Sequence, residues 1–323
     1  MILSKQSELI QNNTHIPFGV YDDLIQNVDT HIFDKKGGLT KKRRTERKTW
    51  IYVGVFSPEL ICGFAIVDAG MVATAFTYFY SFKDMVFEED KITVPLGFSN
   101  NFNPNLDSEW KLKNYSIKTE NGKMKLHYNG KFKLYIDLEN NEKGVSVVAP
   151  SKKERPFNFT YKNMSLPVKV QINTGKTNTY ATSGNYGSID FTKGFPPRET
   201  IWNWLSFIGI TETQKTISVN LVDRFNENME NVLWIDGQKT RLSDAVFNMH
   251  PPFDKTDWLI ETKDGVLKCH LSPCGARKED LNALIAKSKF TQPFGKLDGT
   301  VIIDGKEEKF TAIGVAEDHH AVW

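Results

Sequence analysis

The 323-residue chain predicts an all-β protein with little helix, and three observations carry that prediction. Short segments rich in β-branched and aromatic residues recur at roughly 8–12-residue spacing, the pattern of a sandwich or barrel. Turn chemistry separates them, most plainly at Asn121-Gly122 and Asp264-Gly265, where the Asx-Gly pair supplies the positive φ that a tight hairpin needs. Helix composition is confined to one convincing stretch, ARKEDLNALIAK at 276–287.

Taken in order, residues 1–48 read as an N-terminal arm with a weak short helix around Tyr21–Val28, ending in a basic loop from Lys35 to Lys48. A run of this kind suits an anionic surface or nucleic acid, but charge runs are more often solvated loops. From Thr49 the strands follow closely: TWIYVGVF (49–56), ELICGFAIVD (59–68), MVATAFTYFYSF (71–82) and MVFEEDKITVPLG (85–97). Residues 60–82 hold Asp68 as their one charge and are long enough to cross a membrane. Asp68-Ala69-Gly70 breaks the run with turn chemistry, which argues for a buried hairpin instead. The hairpin at 116–130 and strands at 131–139, 144–150 and 157–173 continue the series, with Pro150–Pro156 as a break. Residues 49–172 and 173–323 are expected to be two β-domains, the second containing the stretch densest in chemical groups, 186–220.

Composition narrows the function classes. Basic and acidic residues number 41 and 39, for a net charge of +2, so no global field recruits nucleic acid, which is not the expected partner. Three cysteines, Cys62, Cys269 and Cys274, do not make a disulfide framework and point to a reducing compartment. MILSKQSELIQNN lacks the apolar core of a secretory signal, so the cytoplasm is the expected location. No phosphate loop, dinucleotide fingerprint, H-E-x-x-H or G-x-S-x-G occurs, which weakens nucleotide-driven and serine-hydrolase chemistry. CHLSPC (269–274) lacks zinc-site spacing, and neither metal nor cofactor is expected.

Four groupings carry candidate chemistry. Strand alternation places Trp202, Trp204 and Ser206 on one face and Asn203, Leu205 and Phe207 on the other. The tryptophans either line a pocket for an apolar ligand or pack a core. Arg198, stiffened by Pro196-Pro197, either holds an anion or pairs with Asp190; Tyr186 stands at the head of the same stretch. In TISVNLVD, Thr216, Ser218 and Asn220 share a face that becomes a hydrogen-bonding wall if it points into a barrel. At the C-terminus Glu317, His319 and Trp323 share one face, and a carboxylate two residues from a histidine suits proton transfer.

WIYVGVFSPELICGFAIVDAG (50–70), DFTKGFPPRETIWNWLSFIG (190–209), ISVNL (217–221), ENVLWIDG (230–237) and AEDHHAVW (316–323) together resemble the successive blocks of a bacterial family catalogued as a domain of unknown function. That family is similar, more distantly, to the calycins, including double-lipocalin proteins of the hydroxyneurosporene synthase (carotenoid hydratase) type. The resemblance implies two lipocalin-like antiparallel β-barrels or half-barrels packed together and an apolar, lipid or isoprenoid-like ligand. The relatives' catalytic residues do not transfer to this chain; the residue groupings themselves give the expected site, with Asp190, His319 and Glu317 as catalytic groups and Tyr186, Arg198, Trp202, Trp204, Asn220 and Trp323 as ligand contacts. Acid–base hydratase or isomerase chemistry at a double bond fits these groups. The alternative is a non-catalytic lipid carrier or an interaction module, and the oligomeric state stays open.

Overall fold

The computed structural model describes residues 1–33, 45–95, 105–141, 143–152, 155–175, 179–282 and 287–323. Two compact units divide the chain: Ile2–Pro197, and Arg198–Trp323 together with Met1. Each contains one large, curled, antiparallel sheet, and among the described residues helical turns are confined to short pieces such as His31–Phe33 and Asn226–Asn228. The all-β expectation holds.

In the first unit the strands are β1 (Ile10–Gln11), β2 (Thr14–His15), β3 (Gly19–Asp22), β4 (Lys48–Phe56), β5 (Leu60–Asp68), β6 (Val72–Ser81), β7 (Val86–Pro95), β8 (Glu109–Leu112), β9 (Tyr115–Glu120), β10 (Lys123–Asn129), β11 (Lys133–Glu139), β12 (Val145–Ala149), β13 (Asn158–Asn173) and β14 (Thr179–Gly194). The sheet runs β7-β6-β5-β4-β14-β13-β11-β10-β9-β8, with β12 and β3 branching from β13. Edge strand β8 returns to β5 and β6, which curls the sheet around its own core. In β11 strict alternation sends Leu134, Ile136 and Leu138 inward and leaves Lys133, Tyr135, Asp137 and Glu139 outside. β14 lies beyond the 172/173 border read from the sequence and belongs here, because it pairs with both β13 and β4.

The apolar stretch 60–82 is the hairpin β5–β6. Asp68 Oδ1 accepts from the Gly70 amide at 2.9 Å, and Gly70 takes φ +82°, where a Cβ would lie 2.3 Å from the Thr45 carbonyl oxygen. Asn121 and Gly122 adopt φ of 50° and 74° between β9 and β10, as the Asn-Gly signal requires. Among the described residues no helix is long and apolar enough to cross a membrane.

The N-terminal arm departs from expectation. Tyr21–Val28 forms no helix; Tyr21 lies on β3, paired with β12, and Leu24, Ile25 and Val28 are core residues. Tertiary burial outweighs the weak local preference there. Of the basic run, residues 35–44 lie outside the described residues. Arg47 and Lys48 are buried, not solvated: Lys48 Nζ donates to the Thr45 and Ala69 carbonyls at 2.9 and 2.6 Å, and Arg47 Nη1 donates to Thr30 Oγ1 at 3.3 Å.

In the second unit the strands are β15 (Glu199–Thr211), β16 (Thr216–Asp223), β17 (Val232–Ile235), β18 (Gln238–Arg241), β19 (Ala245–Asn248), β20 (Trp258–Thr262), β21 (Leu267–Asn282), β22 (Lys287–Ile303) and β23 (Lys306–Val322). Their order is β18-β17-β16-β15-β23-β22-β21-β20-β19, and β19 comes back against β16. Leu205, Phe207, Val219, Leu221, Trp258, Leu271, Leu297, Phe310 and Ala316 fill the concave side.

The helix expected over 276–287 is absent from its described part: 276–282 end β21 and pair with β22 as far as Asn282↔Lys287. Helix propensity in this stretch yields to ladder hydrogen bonds that the adjoining strands already align. The strands on either side of the Pro196-Pro197 corner, β14 and β15, belong to different sheets.

Close backbone approach makes one glycine testable. A Cβ on Gly209 would lie 2.1 Å from the Thr311 carbonyl oxygen across the β15–β23 pair. Gly209→Ala is expected to destabilise the second unit by about 1–3 kcal/mol, read as a lower urea midpoint at unchanged slope.

Candidate active site

Strand parity decides which side chains meet in the second unit. Phe310, Ala312 and Ala316 of β23 face the core, so Glu317 and His319 face the other way. Trp202 of β15 is in register with His319, which is in register with Phe290 of β22; Trp204 is in register with Glu317. Arg277 of β21 stands opposite Gln292 of β22. Four neighbouring strands thus place one row of aromatic rings beside one row of polar groups.

His319 sits at the centre. Its ring centroid is 4.0 Å from that of Trp202 and 5.1 Å from that of Phe290, and Phe225 packs on Trp202 at 5.7 Å. Nδ1 is 2.9 Å from Glu317 Oε1, and Nε2 is 3.1 Å from Ser288 Oγ. An ionised carboxylate only accepts, so Nδ1 carries the proton; in the neutral ring Nε2 is then the acceptor and the Ser288 hydroxyl donates to it. The second carboxylate oxygen of Glu317 accepts from Gln292 Nε2 at 2.9 Å. Only 14% of the His319 side chain and 13% of the Glu317 side chain reach solvent. Gln292 is buried and, among the described residues, its Oε1 has no hydrogen-bond partner, which leaves an acceptor beside the pair. The Arg277 guanidinium lies over the Phe290 ring, 4.8 Å from its centroid, with Glu279 at 4.0 Å. A ring fixed from both faces and at both nitrogens is an oriented base or acid with a dry carboxylate behind it.

Of the residues expected at the site, Glu317, His319 and Trp202 converge. Trp204 and Asn220 meet each other, as Trp204 Nε1 donates to Asn220 Oδ1 at 2.8 Å and Asn220 Nδ2 donates to the Glu230 carbonyl at 2.9 Å. The polar face of TISVNLVD therefore turns away from the filled core, and Asn220 has its hydrogen bonds within the sheet and the loop that follows it. Trp323 follows the end of β23 and lies beside Thr200, whose Oγ1 accepts from its Nε1 at 2.7 Å. Arg198 is exposed, and its carbonyl accepts from the Trp323 amide. On the opposite face Asn203 donates to Asp318 at 2.9 Å and accepts from Arg224.

Asp190 and Tyr186 lie on β14 of the first unit. Asp190 Oδ2 is 2.6 Å from Lys162 Nζ, its cross-strand neighbour, and Oδ1 accepts from Thr192 at 3.0 Å. Lys162 is buried, and the pair is shielded from water. Tyr186 shares this face four residues away, about 13 Å along the strand. A cleft of about 330 Å³ in the same unit is polar, lined by Asp23, Asp107, Thr119, Asn121 and Asn140 among others, and contains none of the expected residues. Burial pushes the Cys269 thiol up to about 12 and raises that of Cys62, so neither offers a thiolate near neutrality. Among the described residues no group of three His, Cys, Asp or Glu side chains is placed to hold a metal ion.

Reading the sequence did not reach Ser288, Phe290, Gln292 and Arg277. The signal for the first three is the alternation in KSKFTQ (287–292), which puts Ser288, Phe290 and Gln292 on one face once that stretch is read as strand, whereas Arg277 lies in the stretch whose composition reads as helix.

Comparison with solved structures places this architecture. Over 83% of this chain and 88% of the other, it is similar to kievitone hydratase from Nectria haematococca at a TM-score of 0.56 and 13% identity. It is similar to an AttH protein from Nitrosomonas europaea at 0.53 and 12% identity, over 83% of this chain and 92% of the other. These likenesses establish the fold: two curled antiparallel half-barrels of lipocalin-like type. A comparison with curated proteins finds no match. The family model described as "Domain of unknown function (DUF2804)" matches residues 3–323, and the chain belongs to that family.

Proposed function

We propose that the chain binds an apolar, isoprenoid-like small molecule against Trp202 and Phe290, and that His319, backed by Glu317, moves a proton to or from a double bond of that ligand. The observation that carries this reading is the shielded His319–Glu317 pair held between two aromatic faces. Hydration or isomerisation of an alkene develops positive charge on carbon. The π face of an indole stabilises such a charge, while the carboxylate behind the imidazole supports its protonated state. The fold shared with a protein named as a hydratase supports the reaction class.

Organic extraction of the purified protein followed by mass spectrometry tests it. An apolar compound is expected, and incubation in isotope-labelled water is expected to add one labelled oxygen to it or to move its double bond. A bound compound that returns unchanged identifies a carrier. Extracts empty of apolar compounds, with no retention of added isoprenoids, would remove the proposal.

A further inference from the structure

The hydrogen bond between Ser288 and His319 is not used by the proton transfer above. We propose that Ser288, His319 and Glu317 form a nucleophilic triad that accepts small acyl groups from carboxylic esters. Such triads are recognised by geometry and roles, not by sequence position, so the absence of G-x-S-x-G does not count against this one. Each role has a group in the structure. Glu317 takes the Nδ1 proton of His319 as hydrogen-bond acceptor at 2.9 Å, and Gln292 fixes its other oxygen at 2.9 Å. That arrangement leaves Nε2 as the base, and the Ser288 hydroxyl lies 3.1 Å from it.

Burial grades the three residues as a nucleophile site needs. The histidine and the carboxylate are largely shielded, whereas Ser288 is half-buried and open to solvent. Phe290 and Trp202 give the acyl portion apolar walls. Arg277, whose guanidinium is held over the Phe290 ring, puts a positive charge on the face that Ser288 shares. Phe290 and Ser288 are adjacent side chains on that face, about 7 Å apart along the strand. A tetrahedral intermediate at Ser288 would develop its oxyanion within the field of this cation.

In the first step Ser288 Oγ bonds to the ester carbonyl carbon while its proton passes to His319 Nε2. The carbon–oxygen bond to the alcohol breaks, and His319 returns the proton to the departing alcohol. Water then repeats the sequence on the acyl-serine, releasing the carboxylic acid and restoring Ser288. Ester and water give acid and alcohol, with no change of oxidation state.

Labelling with a fluorophosphonate probe, followed by peptide mass spectrometry, tests the proposal alongside hydrolysis of p-nitrophenyl butyrate. One covalent adduct is expected, on Ser288. The labelling rate and the esterase rate are expected to fall by about 10²-fold or more in both Ser288→Ala and His319→Ala. Circular dichroism of each variant separates loss of reactivity from loss of fold. If natively folded protein gains no adduct at Ser288, or labels equally fast without His319, the hydroxyl serves only to complete the imidazole's hydrogen bonds and the proposal is overturned. Neither assay requires an apolar ligand, so its failure leaves the proton-transfer reading standing, and the converse holds.

Discussion

Replacing His319 with glutamine is expected to lower turnover of the co-extracted apolar ligand by about 10²–10⁴-fold while changing its retention only severalfold. Glutamine fills most of the space between Trp202 and Phe290 and retains a donor for Glu317, but it has no nitrogen that exchanges a proton near neutrality. Binding and chemistry should therefore separate. Initial rates of label incorporation from isotope-labelled water, set beside the amount of ligand extracted, give the two quantities independently. An unchanged rate would move the proton transfer to another group. A parallel loss of rate and retention would mean that the imidazole works mainly as a wall of the site.

The second large effect is expected on stability, at a residue that the sequence reading placed among the catalytic groups. Asp190→Asn leaves the Lys162 ammonium, whose side chain is 4% exposed, without the carboxylate 2.6 Å away. Removing one partner of a buried ion pair costs about 3–5 kcal/mol, which corresponds to a fall in Tm on the order of 10 °C. The double variant Lys162→Met, Asp190→Leu is expected to recover most of that loss, because neither charge is then taken out of water. Thermal scans of the two variants decide between roles. A stable but inactive Asp190→Asn protein would restore Asp190 to the chemistry; an unstable one with activity retained in the folded fraction assigns it to the ladder between β13 and β14.

These two residues also show how far the chain is legible before it folds. The strands read well because their signals are local: β11 alternates residue by residue, and Asn121-Gly122 can hardly be other than a tight turn. Glu317 and His319 were legible for the same reason, being two residues apart on one strand. Their partners were not. Ser288 lies 31 residues away from His319 in the chain, and its strand adjoins a stretch whose Ala, Leu, Lys and Arg content argues for a helix. Asp190 was legible as an acidic group but not as the partner of Lys162, because that cross-strand pairing carries no sign until register is known. What the sequence withheld was pairing, which depends on the whole sheet and not on any window.

The partnership of β15 with β23 bears on when the protein becomes competent as well as on where its groups lie. The register runs from Glu199↔Val322 to Thr211↔Phe310, so the first strand of the second unit waits for the last. Pairing across such a separation is slow, since the chain between must first surrender its freedom. During synthesis the whole of Ile2–Pro197 has emerged before the second unit can close. Glu317 and His319 ride on the closing strand itself. A partly synthesised chain therefore carries Trp202, Ser288 and Phe290 without the histidine and carboxylate that meet them in the finished sheet, so the site is assembled only when that strand is in place.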